Sequence, residues 1–475
     1  MNKFNSLMKA CGVFLLWGTT AVALPAQTFT TVYIFDGTNG GTPVAALVQG
    51  TNGNLFGTTY YGGNSMCPLG CGTVFEVMPN GALTTLYSFC SQLNCPDGSN
   101  PYAGLVQASN GDFYGTTYKG GANGDGTVFK ITPSGMLTTL HSFDLTDGEL
   151  PQAGLIQAAN GDFYGTTSSG GLKSDGTVFK ITPSGTLTTL HSFCSQLNCD
   201  DGYYPEAALV QATDGNLYGT ADGGGANNKG TIFKISPSGA LTTLYSFCSQ
   251  SNCADGSGPS AGLIQATNGD FYGITTAGGG KGFGTVFEIT PNGALTILHS
   301  FDLVDGESPR ASLVLGTDGN FYGTTPGGGA GSSGTIFSIT PSGTLTTLYS
   351  FCLQYGCADG NDPSAGLVQA TNGRFYGTTA EGGVLYSGTA FSLSVDLGPF
   401  VETQPAAGSV GTAVNILGTN LTGSTKVTFH GTAATFTVKS KSEITTTVPV
   451  GATTGIVKVV TAGGTLSSNA PFRVK

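Results

Sequence analysis

The string FYGTT, or a near variant, occurs seven times, with its glycine at Gly57, Gly115, Gly165, Gly219, Gly273, Gly323 and Gly377. The intervals between these glycines are 58, 50, 54, 54, 50 and 54 residues. A period near 50 residues restricts the fold severely. Each copy must be one supersecondary unit, and adjacent units must bury what a single unit leaves exposed. The bare unit has 50 residues. A connector with two cysteines adds four, and an insertion around CPLGC lengthens the first interval further.

One copy, residues 153–193, reads AGLIQAANGDFYGTTSSGGLKSDGTVFKITPSGTLTTLHSF. Four runs in it, AGLIQA, DFYGTT, GTVFKIT and LTTLHSF, are rich in β-branched and aromatic residues and predict strands. They are separated by Asn-Gly, a glycine-rich link and Pro-Ser-Gly. Asn-Gly between apolar runs is a hairpin signal, because both central positions of the turn need positive φ. Each copy is therefore predicted to be a four-stranded antiparallel meander. Seven such units predict an all-β, seven-bladed β-propeller over residues 27–398. In TVFKI and DFYG large residues occupy both parities, as expected where both faces of a sheet are packed. The segment TFTTVYIFDG matches the fourth strand of a unit, and the seventh unit lacks its own. Thr30–Phe35 is thus expected to complete the last blade and close the ring. A parallel β-solenoid is the competing fold.

The repeat motif NGDFYGTT…GGG…GTVFKITPSGTLTTLHSF resembles the tandem repeat of exported bacterial proteins known as the Gloeobacter and Verrucomicrobia, or Gloeo-Verruco, repeat. The resemblance covers about residues 28–397 and implies no biochemical activity. Residues 399–475, with Pro405, Gly408, Gly411, ILGTNL, VTFHGT and TTGIVKVVT, resemble an IPT/TIG domain. Such a domain is an immunoglobulin-like β-sandwich, and its short alternating strands and Gly, Asn and Thr turns read the same way. The resemblance implies a spacer or a partner-binding unit.

Residues 1–26 carry Lys3 and Lys9, then an apolar run and small residues, a pattern that predicts a secretory signal peptide. The chain has 17 Lys and Arg, 28 Asp and Glu, and a net charge of −11. Without Lys3 and Lys9 the net charge is −13. It divides into −17 over residues 27–398 and +4 over residues 399–475. A basic nucleic-acid surface is therefore not expected on the large part. No run after the leader approaches the ~20 apolar residues of a membrane span. The expected state is a secreted or surface-exposed monomer.

Ten cysteines follow the leader in five close pairs, 67/71, 90/95, 194/199, 248/253 and 352/357. In an exported chain such pairs read as disulfides: Cys67 with Cys71, Cys90 with Cys95, Cys194 with Cys199, Cys248 with Cys253 and Cys352 with Cys357. Zinc is the rival reading, but no pair has a histidine nearby. Four of the pairs lie in connectors such as SFCSQLNCPDGSNP (88–101). The connectors SFDLTDGELP (142–151) and SFDLVDGESP (300–309) keep Asp-Gly and Pro without cysteine. The connectors and the glycine-rich links are expected on one face of the ring, with the Asn-Gly and Pro-Ser-Gly turns on the other.

The Asp-Gly pairs give a ring of carboxylates, Asp36, Asp97, Asp147, Asp201, Asp255, Asp305 and Asp359. Turn chemistry accounts for them, since Asp caps its own turn and Gly takes positive φ. They are also the candidate binding residues. Together with Asp125, Asp175 or Asp222 they could hold sugar hydroxyls or Ca²⁺, which needs several oxygens converging on one point. No EF-hand spacing is present and no other cofactor is expected.

His141, His191 and His299 share a repeat position with Tyr87, Tyr245 and Tyr349, which predicts packing in place of proton transfer. GGGKGFGT (278–285) joins two strands and is not a phosphate loop. No nucleophile–base set is visible. Two functions remain. One is a non-catalytic binding or adhesion scaffold that presents disulfide-stiffened loops to an extracellular glycan or protein. The other is an extracellular glycoside hydrolase or lyase, which should break the repeat symmetry in one unit. The only such break read from the repeats is Asn64–Cys71.

Overall fold

The structure, a computed structural model, describes residues 27–63 and 66–475. The predicted signal segment 1–26 lies outside the described residues. The rest is almost entirely β. Its helix is limited to three-residue 3₁₀ turns at Leu197–Cys199, Ser251–Cys253 and Tyr355–Cys357.

Seven four-stranded antiparallel sheets follow one another in a propeller-like array. In the third sheet the strands are Ile156–Gln157, Phe163–Thr167, Thr177–Ile181 and Leu187–Ser192. The first strand keeps only two ladder residues of the predicted run. The fourth strand of the last sheet is Thr28–Ile34, which pairs antiparallel with Thr389–Ser394. First and seventh sheets also pack on each other, with Leu47, Leu55 and Phe75 against Ala370, Tyr376 and Ala390.

Each letter of FYGTT has a separate job. The Phe and Tyr are buried, and the Tyr stacks on the Phe of the next sheet, as Tyr114 does on Phe163 at 4.0 Å. The Gly admits the aromatic ring of the third strand: a Cβ at Gly165 would sit 2.6 Å from Phe179 Cζ. The first Thr donates to the next sheet, as Thr166 Oγ1 does to Ala207 O at 3.1 Å. The second Thr bonds the third strand of its own sheet, as Thr167 does Thr177 at 2.8 Å. Stacking, close approach and inter-sheet bonding therefore share five residues, which accounts for the repetition of the motif.

A second stitch lies at the Asn-Gly turns. The first-strand glutamine of one sheet accepts the N–H of a turn residue in the sheet before it: Gln107 from Thr51, Gln157 from Ser109, Gln211 from Ala159, Gln265 from Thr213 and Gln369 from Thr317. Gln49 accepts from Thr371 at 2.8 Å, joining first and seventh sheets. The sixth sheet has Leu315 at this position, which offers no acceptor.

Residues 399–475 form two four-stranded sheets over a core that includes Val414, Ile416, Val427, Ile444, Val457 and Phe472. This domain sits on the Asn-Gly turns. Ser442 Oγ donates to Thr51 O at 2.8 Å, Arg473 Nη1 to Ala212 O at 3.0 Å and Lys475 Nζ to Ala159 O at 3.0 Å. The hydroxyls of Thr371 and Thr419 meet at 3.3 Å. Its contacts thus span turns of the seventh, first, third and fourth sheets. The domain, for which the resemblance implies a spacer or a partner-binding unit, is packed onto the repeat array.

Candidate ligand site at the central mouth

The connectors and glycine-rich links lie together, as expected. In all seven sheets they form an antiparallel bridge, for example Glu149 with Ser169 and Tyr203 with Gly223. Each connector then turns sharply inward at Pro. The residue before the Pro holds a positive φ in every sheet: Thr42 54°, Asn100 55°, Leu150 55°, Tyr204 56°, Gly258 66°, Ser308 50° and Asp362 57°. For the non-glycine residues this is a costly conformation, made worse by the following Pro. Its effect is to carry the segment Pro-x-Ala to the mouth of the channel before the first strand begins.

There the repeats stop resembling one another. Between the invariant Pro and Ala stand Val44, Tyr102, Gln152, Glu206, Ser260, Arg310 and Ser364, and all seven line one cavity of about 650 Å³. A second variable position, just after FYGTT, adds Asp222 and Thr276 to the lining. The same position supplies Tyr60 and Tyr118, whose rings contact Tyr102 at centroid distances of 5.8 and 6.3 Å. Tyr60 and Tyr118 are themselves 6.4 Å apart, so three tyrosines form one flank.

The rest of the lining is more polar. Gln152 Nε2 donates to Ser168 Oγ at 3.0 Å and to Glu206 Oε1 at 3.5 Å. Burial pushes the Glu206 carboxyl above its ordinary range and the Asp222 charge adds to the rise, against the Gln152 hydrogen bond and the Arg310 charge. Burial also raises Asp222. Tyr102 is raised by burial, with Arg310 opposing and Glu206 adding. Ser260 Oγ is buried without a hydrogen-bond partner. An unbonded buried hydroxyl beside a cavity is a group that a ligand can satisfy.

The Asp-Gly carboxylates are elsewhere, bonded to their own connectors or to the fourth strand, although Asp97 and Asp359 each keep one buried oxygen, Oδ1, without a hydrogen-bond partner. Asp36 accepts from Thr38 N and Asn39 N at 2.9 and 3.0 Å. The other six take a bond from the fourth strand: Asp97 from Tyr87, Asp255 from Tyr245 and Asp359 from Tyr349, at 2.7–2.9 Å. Asp147, Asp201 and Asp305 meet Nε2 of His141, His191 and His299 at 2.7–3.0 Å. The histidines do pack, edge-on against Phe143, Phe193 and Phe301 as Tyr87, Tyr245 and Tyr349 do against Phe89, Phe247 and Phe351, and the hydrogen bond adds a second reason for the exchange: His and Tyr each reach the same carboxylate. Burial raises Asp201, but hydrogen bonds from Ser195, His191 and Gln196 outweigh it and hold the group below its usual range. None of the seven lines the cavity.

The five cysteine pairs are disulfides, Cys67–Cys71, Cys90–Cys95, Cys194–Cys199, Cys248–Cys253 and Cys352–Cys357. The first two lie side by side, with all four sulfurs within 4.8 Å of one another. In the cysteine-free connectors an aspartate does the bracing: Asp144 Oδ1 accepts from Thr146 N and Asp147 N, and Asp302 Oδ1 from Val304 N. The symmetry break assigned to Asn64–Cys71 is therefore incomplete. The larger break is at the mouth, in every sheet.

No curated protein matches the chain. Among solved structures, the extracellular domain of a hybrid two component system from B. thetaiotaomicron is similar over 95% of this chain at 14% identity and a TM-score of 0.51. The chain spans 57% of that domain's length. A fungal alcohol oxidase of the AA5 family, solved with copper, is similar over 95% of this chain and 100% of its own at 14% identity and a TM-score of 0.53. At such identity the likeness concerns the fold alone. The model of the Gloeobacter/Verrucomicrobia repeat matches residues 17–215, 71–265, 193–391 and 249–435, and that of the IPT/TIG domain matches residues 401–474. With seven copies of the unit each building one sheet, the chain belongs to the Gloeobacter/Verrucomicrobia repeat family and carries a C-terminal IPT/TIG domain.

Proposed function

We propose that the protein is an extracellular, non-catalytic binding scaffold whose ligand, a glycan or a protein segment, seats in the central mouth. The observation that carries this reading is the placement of seven residues of six types, one from each sheet, around a single cavity of about 650 Å³. A repeat that keeps its core, turns and inter-sheet bonds nearly constant yet differs at the two positions facing the mouth supports recognition there. The volume falls in the usual range for ligand pockets. Five disulfides support an oxidising, extracellular setting. Among the described residues no helix is long and apolar enough to cross a membrane. In this reading Thr28–Ile34 acts as the clasp that closes the ring and keeps the mouth in shape.

A second reading, cleavage of a glycosidic bond, is favoured by one observation. Glu206 and Asp222, both in the fourth repeat, face the same cavity with carboxyls raised by burial. Two carboxyls facing one cavity, with at least one raised by burial, are the kind of pair that acid–base catalysis on sugars uses.

Glycan and protein arrays probed with the full chain test both. The binding reading expects signals that disappear with Tyr102→Ala plus Glu206→Ala and persist with Leu197→Ala plus Tyr355→Ala on the exposed connectors. Loss with the connector variant alone would move the site off the mouth. New reducing ends released from a bound glycan, abolished by Glu206→Gln, would replace the scaffold with an enzyme.

A further inference from the structure

We infer that the mouth takes a short, uncharged oligosaccharide, bound with a sugar face against Tyr102 and its hydroxyls shared among Gln152, Glu206, Ser260 and Arg310. The inference rests on the reading of the mouth as the binding site and concerns what fills it.

Charge narrows the choice first. Glu206 and Asp222 sit on one flank, and the array around them carries an excess of acidic groups. An anionic ligand, such as a uronic acid chain, would meet both carboxylates after losing its water. A cationic ligand would be drawn to the two carboxyls but would have to lose its water beside Arg310, whose charge already acts on Tyr102 and Glu206. A ligand without net charge avoids both penalties, which are large where water is excluded.

The shape of the polar and apolar surfaces narrows it further. Tyr102 is 38% exposed and is buttressed by Tyr60 and Tyr118, so a broad aromatic surface is held rigidly at the rim. The three rings lean on each other at 5.8–6.4 Å, with Tyr60 nearly perpendicular to Tyr102. Sharing the lining with Tyr102 are a carboxyl that accepts, a guanidinium that donates, and an amide and a hydroxyl that do both. A molecule matching this set needs an apolar face and many groups that donate and accept at once. A pyranose ring offers its C–H face to the aromatic surface and its hydroxyls to the mixed donors and acceptors. Ser260 Oγ, buried and unbonded, then gains a partner. A cavity of about 650 Å³ has room for more than one ring.

The test is titration calorimetry of the full chain with three tetrasaccharides of matched length: cellotetraose (neutral), tetragalacturonate (anionic) and fully deacetylated chitotetraose (cationic). A neutral mannotetraose is added so that linkage and epimer preference do not hide binding. Binding of at least one neutral tetramer is expected, tenfold or more tighter than either charged one. Tyr102→Ala should weaken it at least tenfold, Tyr102→Phe less than threefold, and Glu206→Gln about fivefold, with melting temperatures checking that each variant folds. A charged tetramer bound more tightly, with the same dependence on Tyr102, would overturn the ligand class and leave the mouth as the site. Neutral binding indifferent to Tyr102 and Glu206 would retain the class and remove the mouth. No binding by any of the four overturns the inference.

Discussion

At the residue scale, a charge that folding has to bury should reveal itself through pH. Glu206 titrates above its ordinary value of about 4.5 because burial and Asp222 disfavour the carboxylate. The folded protein thus keeps a proton that the unfolded chain has released. Stability falls as pH rises from the ordinary value through the raised one, and stays lower above it. Glu206→Gln, which keeps an acceptor for Gln152, should raise the melting temperature at pH 7. The gain should shrink towards nothing below pH 4, where Glu206 is protonated in both states. A melting temperature unchanged at pH 7 would show that the carboxylate is well solvated. The His–Asp pairs give the opposite kind of test. Asp201 is fully buried and loses one hydrogen bond if His191 becomes Phe, a cost of about 1–2 kcal/mol in denaturant titration. His191→Tyr should cost little, because Tyr245 serves Asp255 with its hydroxyl in the next sheet. This swap was legible as a repeat position but not as a bond, because sequence alone does not show that the carboxylate ten residues on folds back. The mouth residues were missed for a related reason. Attention to what recurs singled out Asp-Gly, whereas Tyr102, Gln152, Glu206 and Arg310 are defined by not recurring. The signal was present, as one unlike residue between a constant Pro and a constant Ala.

At the element scale, the strands and turns were legible because their chemistry is local. Three of the four predicted strands match within a residue or two, and the Asn-Gly turns join first to second strands as expected. The first strand was overestimated. Its leading residues, Ala153–Leu155, continue from the Pro-x-Ala segment that is bent towards the mouth by the positive φ before each Pro, so that only a pair such as Ile156–Gln157 reaches the ladder. The glutamine stitch was also missed, since Gln157 looks like any strand residue until the neighbouring sheet is in place. Its worth can be measured. Gln107 is buried and accepts the N–H of Thr51 from the sheet before. Gln107→Leu should destabilise the array by about 1–2 kcal/mol, since an amide N–H is left without its acceptor. Leu315 shows that one such gap is tolerated in seven. A second gap beside it, through Gln369→Leu, should therefore cost no less than Gln107→Leu alone. Denaturation midpoints at equal slope would check this, and a cost near zero for Gln107→Leu would mean that the stitch is redundant with the stacked Tyr and Phe rings.

At the scale of the whole molecule, the charge division in the sequence has a structural counterpart. The domain at residues 399–475 carries +4, and two of its cations, Arg473 and Lys475, end on carbonyls of the acidic array. The sequence showed the two charges but not that the surfaces meet, because nothing local marks the carbonyls of Ala159 and Ala212 as acceptors. Among the described residues the strand Thr28–Ile34 makes the longest-range strand pairing, more than 350 residues from its partner Thr389–Ser394. Its Phe29 stacks on Tyr349 at 3.9 Å and meets Phe351 and Phe391 edge-on or offset, so it also seals the seventh sheet against the sixth. Without it, Thr389–Ser394 becomes an open edge over an uncovered aromatic cluster, the arrangement that invites pairing with a second chain. Deleting residues 27–34 should therefore give oligomers or aggregate by light scattering, with a lower melting temperature. A synthetic peptide, QTFTTVYI, added during refolding should restore the monomer, because the missing element needs only to pair, not to be covalently joined. The same peptide with Phe29 replaced by Ala should rescue less well. A truncated chain that stays monomeric and melts as before would show that the ring holds through the Gln49–Thr371 seam and the packing of Leu55 and Phe75 on Tyr376, with the strand only lying against it.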